Sequence, residues 1–345
     1  MAFDDIAADP AAHGFNSGFV GKLDQAIAGG TLPSLHGLVI LADGKLVLER
    51  YVAGEDESWG RPLGRVDFDT GTLHDLRSVS KSIVGLLYGI ALKLGAVPAP
   101  DASLVVQFPE YPDLARDPQL GKRKVAHVLT MTLGQEWNED LPYTDPANSE
   151  IAMEMAADRY RFILERPVIA EPGTGWTYTG GASALLGRLI EKGSGLSLLD
   201  FARQHLFAPL GIDTVQWISG ADGTYSAASG LRLRPRDLAK IGYCVLQGGS
   251  WDGEQIIPPD WLAEAFTPRV TCFDDIGYGY QWYLRASTDG NGPRRFAMGN
   301  GGQRLILIPE RKLVIAILCG QYNHPDQWKT PAAIMLEHVL PGLAG

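Results

Sequence analysis

The sequence predicts an α/β fold of the α+β kind. A discontinuous domain with a central antiparallel sheet flanked by terminal helices is interrupted by an inserted, mainly helical domain. Three observations lead there: strand pairs lie near both ends of the 345-residue chain, the middle carries helical periodicity, and an amphipathic segment closes the sequence. Strands far apart in the chain most economically share one sheet, so residues 1–75 and 221–345 are assigned to the sheet domain and 76–220 to the helical one. The seam between them is a natural place for a cleft, and the active site is expected there.

Taken in order, Phe19, Val20, Leu23 and Ile27 recur at helical spacing and stop at Gly29-Gly30, a helix-ending signal. The β-rich runs 37–41 and 45–51 flank Ala42-Asp43-Gly44, and Asp-Gly between such runs marks a hairpin. Helical patterns follow at 83–94, 151–164, 182–190 and 198–206, separated by Pro- and Gly-rich loops with little strand alternation. Residues 278–284 form a strand candidate. The runs 304–308 and 312–318 then flank the turn-like Pro309-Glu310-Arg311, and 331–340 reads as the closing helix. There is no internal repeat, low-complexity tract or long charge run.

Composition narrows the partners. With 45% hydrophobic and 20% charged residues the chain can bury a sizeable core, which excludes disorder. A formal charge of -10 repels phosphate backbones and anionic lipid surfaces, so neither nucleic acid nor membrane is an expected partner and a small molecule is. The start, Met1 to Ile6, has neither the basic opening nor the apolar stretch of a secretory leader, giving a cytoplasmic expectation; a removed leader would leave no trace. Cys244, Cys272 and Cys319 are odd in number and widely spaced, which argues against a disulfide framework or a zinc site. Cys319 ends an apolar run and reads as a small core residue. No cofactor or metal is expected. The acidic group Glu136, Glu139 and Asp140 reads as a solvated loop.

The common hydrolase, nucleotide and zincin signatures are absent, but one nucleophile pattern is present. The apolar set Ile83, Leu87, Ile90 and Leu94 begins just after Ser78-x-x-Lys81, which places Ser78 at a helix start. Residues three apart share a helix face, so the Lys81 amine can approach the Ser78 hydroxyl. Burial and the positive end of the helix dipole are expected to push Lys81 toward the neutral amine, able to accept the serine proton. The free N–H groups of the helix start suit an oxyanion. The plain alternative makes Ser78 or Ser80 a helix cap and Lys81 a solvated side chain, and the tetrapeptide alone does not exclude it. Ser80 and Ser82 lack a lysine three residues on and are weaker nucleophiles.

Around this pattern the chain resembles the penicillin-recognising serine hydrolases: class C β-lactamases, DD-peptidases, β-lactamase-like carboxylesterases (family VIII) and 6-aminohexanoate-oligomer hydrolases. Three motifs stand in that family's order: Ser78-x-x-Lys81, Tyr178-Thr179-Gly180, and Asn300-Gly301-Gly302 followed by Gln303. The resemblance spans about residues 35–320 and implies a β-lactamase/transpeptidase-like fold. It implies Ser78 as acylated nucleophile, Lys81 as proton acceptor and Tyr178 as proton relay. The Ser78 and Gln303 N–H groups become the oxyanion hole, with Gly180, Asn300, Gly301 and Gly302 lining the substrate. Physically, a phenol relays protons this way only if a neighbouring cation stabilises its phenolate, and Lys81 is the candidate.

Two positions depart from the family pattern. Asn300 stands where the antibiotic-active relatives carry the lysine of K-T-G, and Gly180 takes the third place of Y-x-N. Arg295 and Arg304 are the cations available to replace the lost charge. Trp137, Trp176, Tyr278, Tyr280, Trp282 and Tyr283 offer aromatic surface suited to a hydrophobic acyl or alcohol group. The reading that follows is a serine hydrolase cleaving small carboxylic esters, and some amides, through a Ser78 acyl-enzyme. The alternatives are a β-lactamase or penicillin-binding peptidase and, from a different class, a catalytically inactive binding module on the same fold.

Overall fold

The computed structural model describes residues 8–220, 222–287 and 290–343; the leader reading of Met1 to Ile6 lies outside them. Its centre is an eight-stranded antiparallel sheet. From one edge the order is Val270–Phe273, Ile276–Tyr278, Tyr283–Arg285, Arg294–Gly299, Gln303–Ile308, Leu313–Cys319, Leu35–Ala42 and Lys45–Tyr51. The first hairpin therefore joins the strands from the far end of the chain, with Val39 opposite Ala316 and Ile40 opposite Ile315. Its turn has positive φ at both Asp43 and Gly44, as a two-residue hairpin turn demands.

Alternation of side chains gives the sheet two apolar faces. Leu38, Ile40, Ile306, Ile315 and Ile317 face the terminal helix Phe19–Ala28 and the closing helical segment, which runs through Lys329–Ala333, Ile334–Val339 and Leu340–Gly342. Val39, Leu41, Leu305, Leu307 and Val314 belong to the larger core, continuous with the helices of the middle of the chain. Burying each such side chain contributes about 1.5–3 kcal/mol. All three cysteines are free, and Cys319 lies on the first face with its thiol pushed up to about 12 by burial.

Two helices position the site. Val79–Lys93 is buried on nearly every side, as the run Ile83 to Ala91 with no charged residue requires, and packs along the largely enclosed Gly180–Ser194. Among the described residues no helix is long and apolar enough to cross a membrane.

Four details differ from the periodicity reading. Residues 278–284 are the end of one strand, a turn and the start of the next. Gln281 takes φ +63 there, and the Gly279 N–H donates to the Trp282 carbonyl. The pattern 151–164 divides into Ser149–Met155 and Arg159–Leu164, because Ala156 turns extended and Asp158 caps a new start by accepting from the Tyr160 and Arg161 N–H groups. The pattern 198–206 is α-helical over Leu198–Ala202 and then widens over Arg203–Phe207. Short strands that alternation does not reveal also form: a hairpin of Gly54–Ser58 with Arg61–Val66, and a small sheet of His74–Asp75, Leu231–Leu233 and Gln216–Trp217.

Candidate active site

The segment before Ser78 is tightly held. His74 and Asp75 pair with Leu233 and Arg232, the Leu76 N–H donates to the Leu231 carbonyl, and the Arg77 N–H donates to the Asp75 carboxylate at 2.9 Å. Arg77 sits at φ +48, a conformation costing a non-glycine residue about 1–2 kcal/mol, and its guanidinium is anchored by Glu57. Chain reversal there delivers Ser78 onto the first turn of the buried helix, half-exposed to a cavity of about 160 Å³.

The Ser78 side chain makes no helix-capping bond. Ser80 instead bonds the Arg77 carbonyl at 2.6 Å, and Ser82 the Gln281 carbonyl at 2.6 Å, so these two are the structural hydroxyls. The Ser78 hydroxyl meets Lys81 Nζ at 3.1 Å. Lys81 is 2% exposed, and Nζ also donates to the Ala228 carbonyl at 2.9 Å and lies 3.2 Å from Glu150 Oε2. The amine stands 4.9 Å from the centre of the Tyr178 ring. Tyr178 also packs beside Trp176 at 6.0 Å, so the packing and chemical readings of this residue are compatible.

The expectation of a neutral Lys81 is corrected by its surroundings. Burial does push it toward the amine, but the charges of Glu150, Tyr178 and Glu139 outweigh burial and hold it well above its ordinary value. At 3.2 Å the attraction between Lys81 and Glu150 is about 5 kcal/mol for an effective dielectric near 20, comparable with the several kcal/mol that burying each ion costs. Each charge is therefore sustained by the other. Tyr178 is raised, chiefly by burial, with Lys81 drawing it back down.

Glu139 and Glu150 were not legible as site residues. Glu136 and Asp140 are exposed as expected, but Glu139 turns inward. Its Oε1 accepts from the Gly180 N–H and from Trp137 Nε1 at 2.6 Å, and its Oε2 accepts from the Tyr143 hydroxyl at 3.0 Å. Burial and the neighbouring Glu150 charge push its carboxyl up to about 8. Glu150 is fixed by the buried Asn148, whose side chain accepts from the Glu150 N–H at 2.9 Å and donates to the Leu141 carbonyl at 2.7 Å. A Cβ on residue 180 would overlap Glu150 Oε2, which accounts for glycine in the third place of the tyrosine motif.

The third motif arrives at the end of the strand Arg294–Gly299. Gly299 lies so close to the Leu76 carbonyl and Arg77 that it admits no side chain, and this contact brings the two motifs together. Asn300 lines the Ser78 cavity with Trp59, Tyr143, Ser229 and Asn323, while its Oδ1 accepts from the Asn323 N–H at 2.9 Å. Gly301 and Gly302 take φ +89 and +98; the Gly301 N–H donates to Gln327 Oε1 at 2.6 Å. Gln303 is fully buried, its side-chain amide bonding both N–H and carbonyl of Cys319, which fixes the start of the strand Gln303–Ile308. Neither candidate replacement cation reaches this cavity: Arg295 stacks on Phe266 at 4.3 Å, and Arg304 lies under Trp328 and Met335 with its guanidinium on the Gln303 carbonyl. Arg77 is the arginine that lines it. Tyr178 borders a separate cleft of about 390 Å³ walled by Trp137, Trp176, Phe273 and Tyr283, with Glu139 and Asp140 also lining it.

One group of metal-competent side chains occurs among the described residues, His36, Asp56 and His74, all buried. His36 Nδ1 and His74 Nε2 are 3.0 Å apart, His74 Nδ1 bonds the Asp75 carbonyl at 3.0 Å, and Asp56 accepts from the Tyr322 hydroxyl at 2.8 Å. Burial drives both rings down, to about 4 for His36 and about 3 for His74. This network ties the sheet to the strand leading into Ser78.

Comparison with known proteins agrees with the fold. The family model described as Beta-lactamase matches residues 20–338, and the chain belongs to that family. It is 28% identical over 285 residues to the 6-aminohexanoate-dimer hydrolase of Paenarthrobacter ureafaciens, covering 76% of this chain and 69% of the relative. Among solved structures it is similar to an octameric penicillin-binding protein homologue from Pyrococcus abyssi, with TM-score 0.68, 20% identity, and 92% and 77% of the two chains covered. It is also similar to EstCE1, a hydrolase with promiscuous acyltransferase activity, with TM-score 0.70, 16% identity, and 91% and 96% covered.

Proposed function

We propose that this β-lactamase-family chain is a serine hydrolase that cleaves small carboxylic esters, and amides of similar size, through an acyl-enzyme on Ser78. The observation that carries the reading is the Ser78 hydroxyl 3.1 Å from the buried Lys81 side chain, whose Nζ stands 4.9 Å from the centre of the Tyr178 ring. In the proposed cycle Ser78 Oγ attacks the substrate carbonyl carbon and loses its proton toward Lys81. The Ser78 and Gln303 N–H groups receive the oxyanion, and Tyr178 returns a proton to the leaving group. Water then repeats the sequence on the ester. Asn300, Gly301, Gly302 and Gly180 border the substrate in this reading, and the aromatic cleft takes its apolar part. Among the described residues no arginine or lysine other than the tethered Arg77 lines the Ser78 cavity, which favours uncharged esters over substrates whose carboxylate needs a free cation.

The test is hydrolysis of a p-nitrophenyl acyl series by the wild type and by Ser78→Ala. The reading predicts turnover with a preference for one chain length, lost in the variant. Equal turnover by both proteins would reject Ser78. Absence of turnover on esters and amides alike, with nitrocefin cleaved, would favour the β-lactamase reading.

A further inference from the structure

The serine, lysine and tyrosine do not account for the two carboxyl groups behind them. Lys81 Nζ has three oxygen neighbours: Ser78 Oγ, the Ala228 carbonyl and Glu150 Oε2. Two of these only accept, so a neutral amine donating to both would turn its lone pair to Ser78. An ammonium, which the surrounding charges favour at rest, donates to all three. The difference between the two states is one proton, and Glu150 is the group placed to hold it. Glu139 lies beside Glu150, both carboxylates crowding Gly180, and accepts from Gly180, Trp137 and Tyr143.

We propose that Glu150, backed by Glu139, is the far end of the proton path from Ser78, and so a positioning residue acting through Lys81. This rests on the Ser78 acyl-enzyme reading above. In acylation the Ser78 O–H bond breaks and an Nζ–H bond forms, while a different Nζ–H bond breaks and an O–H bond forms on Glu150. The serine oxygen uses its freed electron pair to bond the carbonyl carbon. Lys81 remains an ammonium throughout, and the negative charge moves from Glu150 to the oxyanion. Collapse of that oxyanion expels the leaving group, which takes the Tyr178 hydroxyl proton; Lys81 passes a proton to the phenolate and regains one from Glu150, so every group returns to its starting state.

The titratable groups around the pair come from every neighbouring element: Lys81 from the serine helix, Tyr178 from the loop before Gly180–Ser194, and Tyr143 from the loop carrying Glu139. Glu154, one turn beyond Glu150, completes the set and is paired with Arg159 at 3.2 Å. The Glu139 carboxyl is held up to about 8 by burial and the neighbouring Glu150 charge, so it loses its proton near pH 8, and the rate profile should bend there.

The experiment is the pH profile of kcat/KM on the best p-nitrophenyl ester for wild type, Glu150→Gln, Glu150→Asp and Glu139→Gln, with melting temperatures measured alongside. Expected are a loss of about 100-fold in Glu150→Gln, recovery of about tenfold or more in Glu150→Asp, and no bend near pH 8 in Glu139→Gln. Equal losses in both Glu150 variants with the bend retained in all of them would overturn the proposal, as would full activity of Glu150→Gln. An infrared titration reads the proton without turnover. A protonated carboxyl band present at pH 7, fading with a midpoint near 8 and missing from Glu139→Gln, is expected; Glu154 and Glu191, also raised, serve as the constant background. No such difference band would sink the proposal even if Ser78 proved catalytic. A chain with the band but no Ser78-dependent hydrolysis would refute the serine hydrolase reading, and with it the route assigned to the proton.

Discussion

Two buried polar clusters flank the turn that carries Ser78. Behind it, His36, His74, Asp56 and Tyr322 bond to one another and to the chain; both rings are held neutral, and Asp56 is further held by Arg232 at 3.4 Å. In front, the Lys81 ammonium lies against Glu150 with Glu139 and Tyr178 beside them, and Ser78 opens onto a cavity. Both clusters contain strongly shifted groups. What separates them is whether the bonding capacity is closed within the chain or ends at a hydroxyl facing the cavity. A closed network stabilises the fold; an open one can move a proton to something that enters. Burial and perturbed titration alone do not distinguish the two.

The largest expected effect lies in the open cluster. Ser78→Ala should lower kcat/KM by at least about 10³ while leaving the melting temperature within a few degrees, since its hydroxyl caps nothing. Tyr178→Phe should follow at about 10²–10⁴, with the loss in kcat, because ring packing against Trp176 survives and only the proton relay goes. Steady-state kinetics with calorimetry on the same samples checks both.

The closed cluster should answer in stability. His74→Ala is expected to cost about 2–4 kcal/mol in denaturant unfolding, through the lost ring and the unpaired polar partners, with kcat of the remaining folded protein changed far less than in Tyr178→Phe. A kcat loss as large as that of Tyr178→Phe would erase the distinction between the clusters. Acid should weaken the same network. The folded pKa values of His36 and His74, about 4 and about 3, lie below the unfolded value near 6.5, so the unfolded chain takes up protons first. Stability is full above about pH 7, falls as pH drops through 6.5, and by pH 5 each ring contributes a loss of roughly 2 kcal/mol. Unfolding midpoints between pH 7.5 and 5 measure it, and substituting either ring should flatten the curve. The smallest effect is that of Ser80→Ala, about 1–1.5 kcal/mol from the buried bond to the Arg77 carbonyl and the longer one accepted from the Leu231 N–H, with activity retained.

The same contrast explains what could be read from the sequence. Strands 304–308 and 312–318 and the first hairpin are legible because alternation and turn residues are local properties. So is Ser78 on its helix, since an apolar run and a three-residue spacing place it there. The strand candidate 278–284 misled because its turn is made by Gln281 at positive φ, held by tertiary bonds to the Val128 and Leu129 carbonyls. Glu139 and Glu150 escaped because a buried carboxylate has the same letter as a solvated one. Their partners lie 41 and 69 residues away along the chain. The charge on Lys81 is misread from sequence for the same reason: the helix alone argues for an amine, and the unseen Glu150 and Glu139, with Tyr178, reverse it.

The central claim is that Ser78 becomes acylated. Intact-mass analysis of the purified protein after treatment with an alkyl fluorophosphonate, followed by peptide mapping, tests it directly. The account predicts a single adduct located on Ser78 and none on the Ser78→Ala variant; an unmodified wild type, or a label that persists at another residue in the variant, would contradict it.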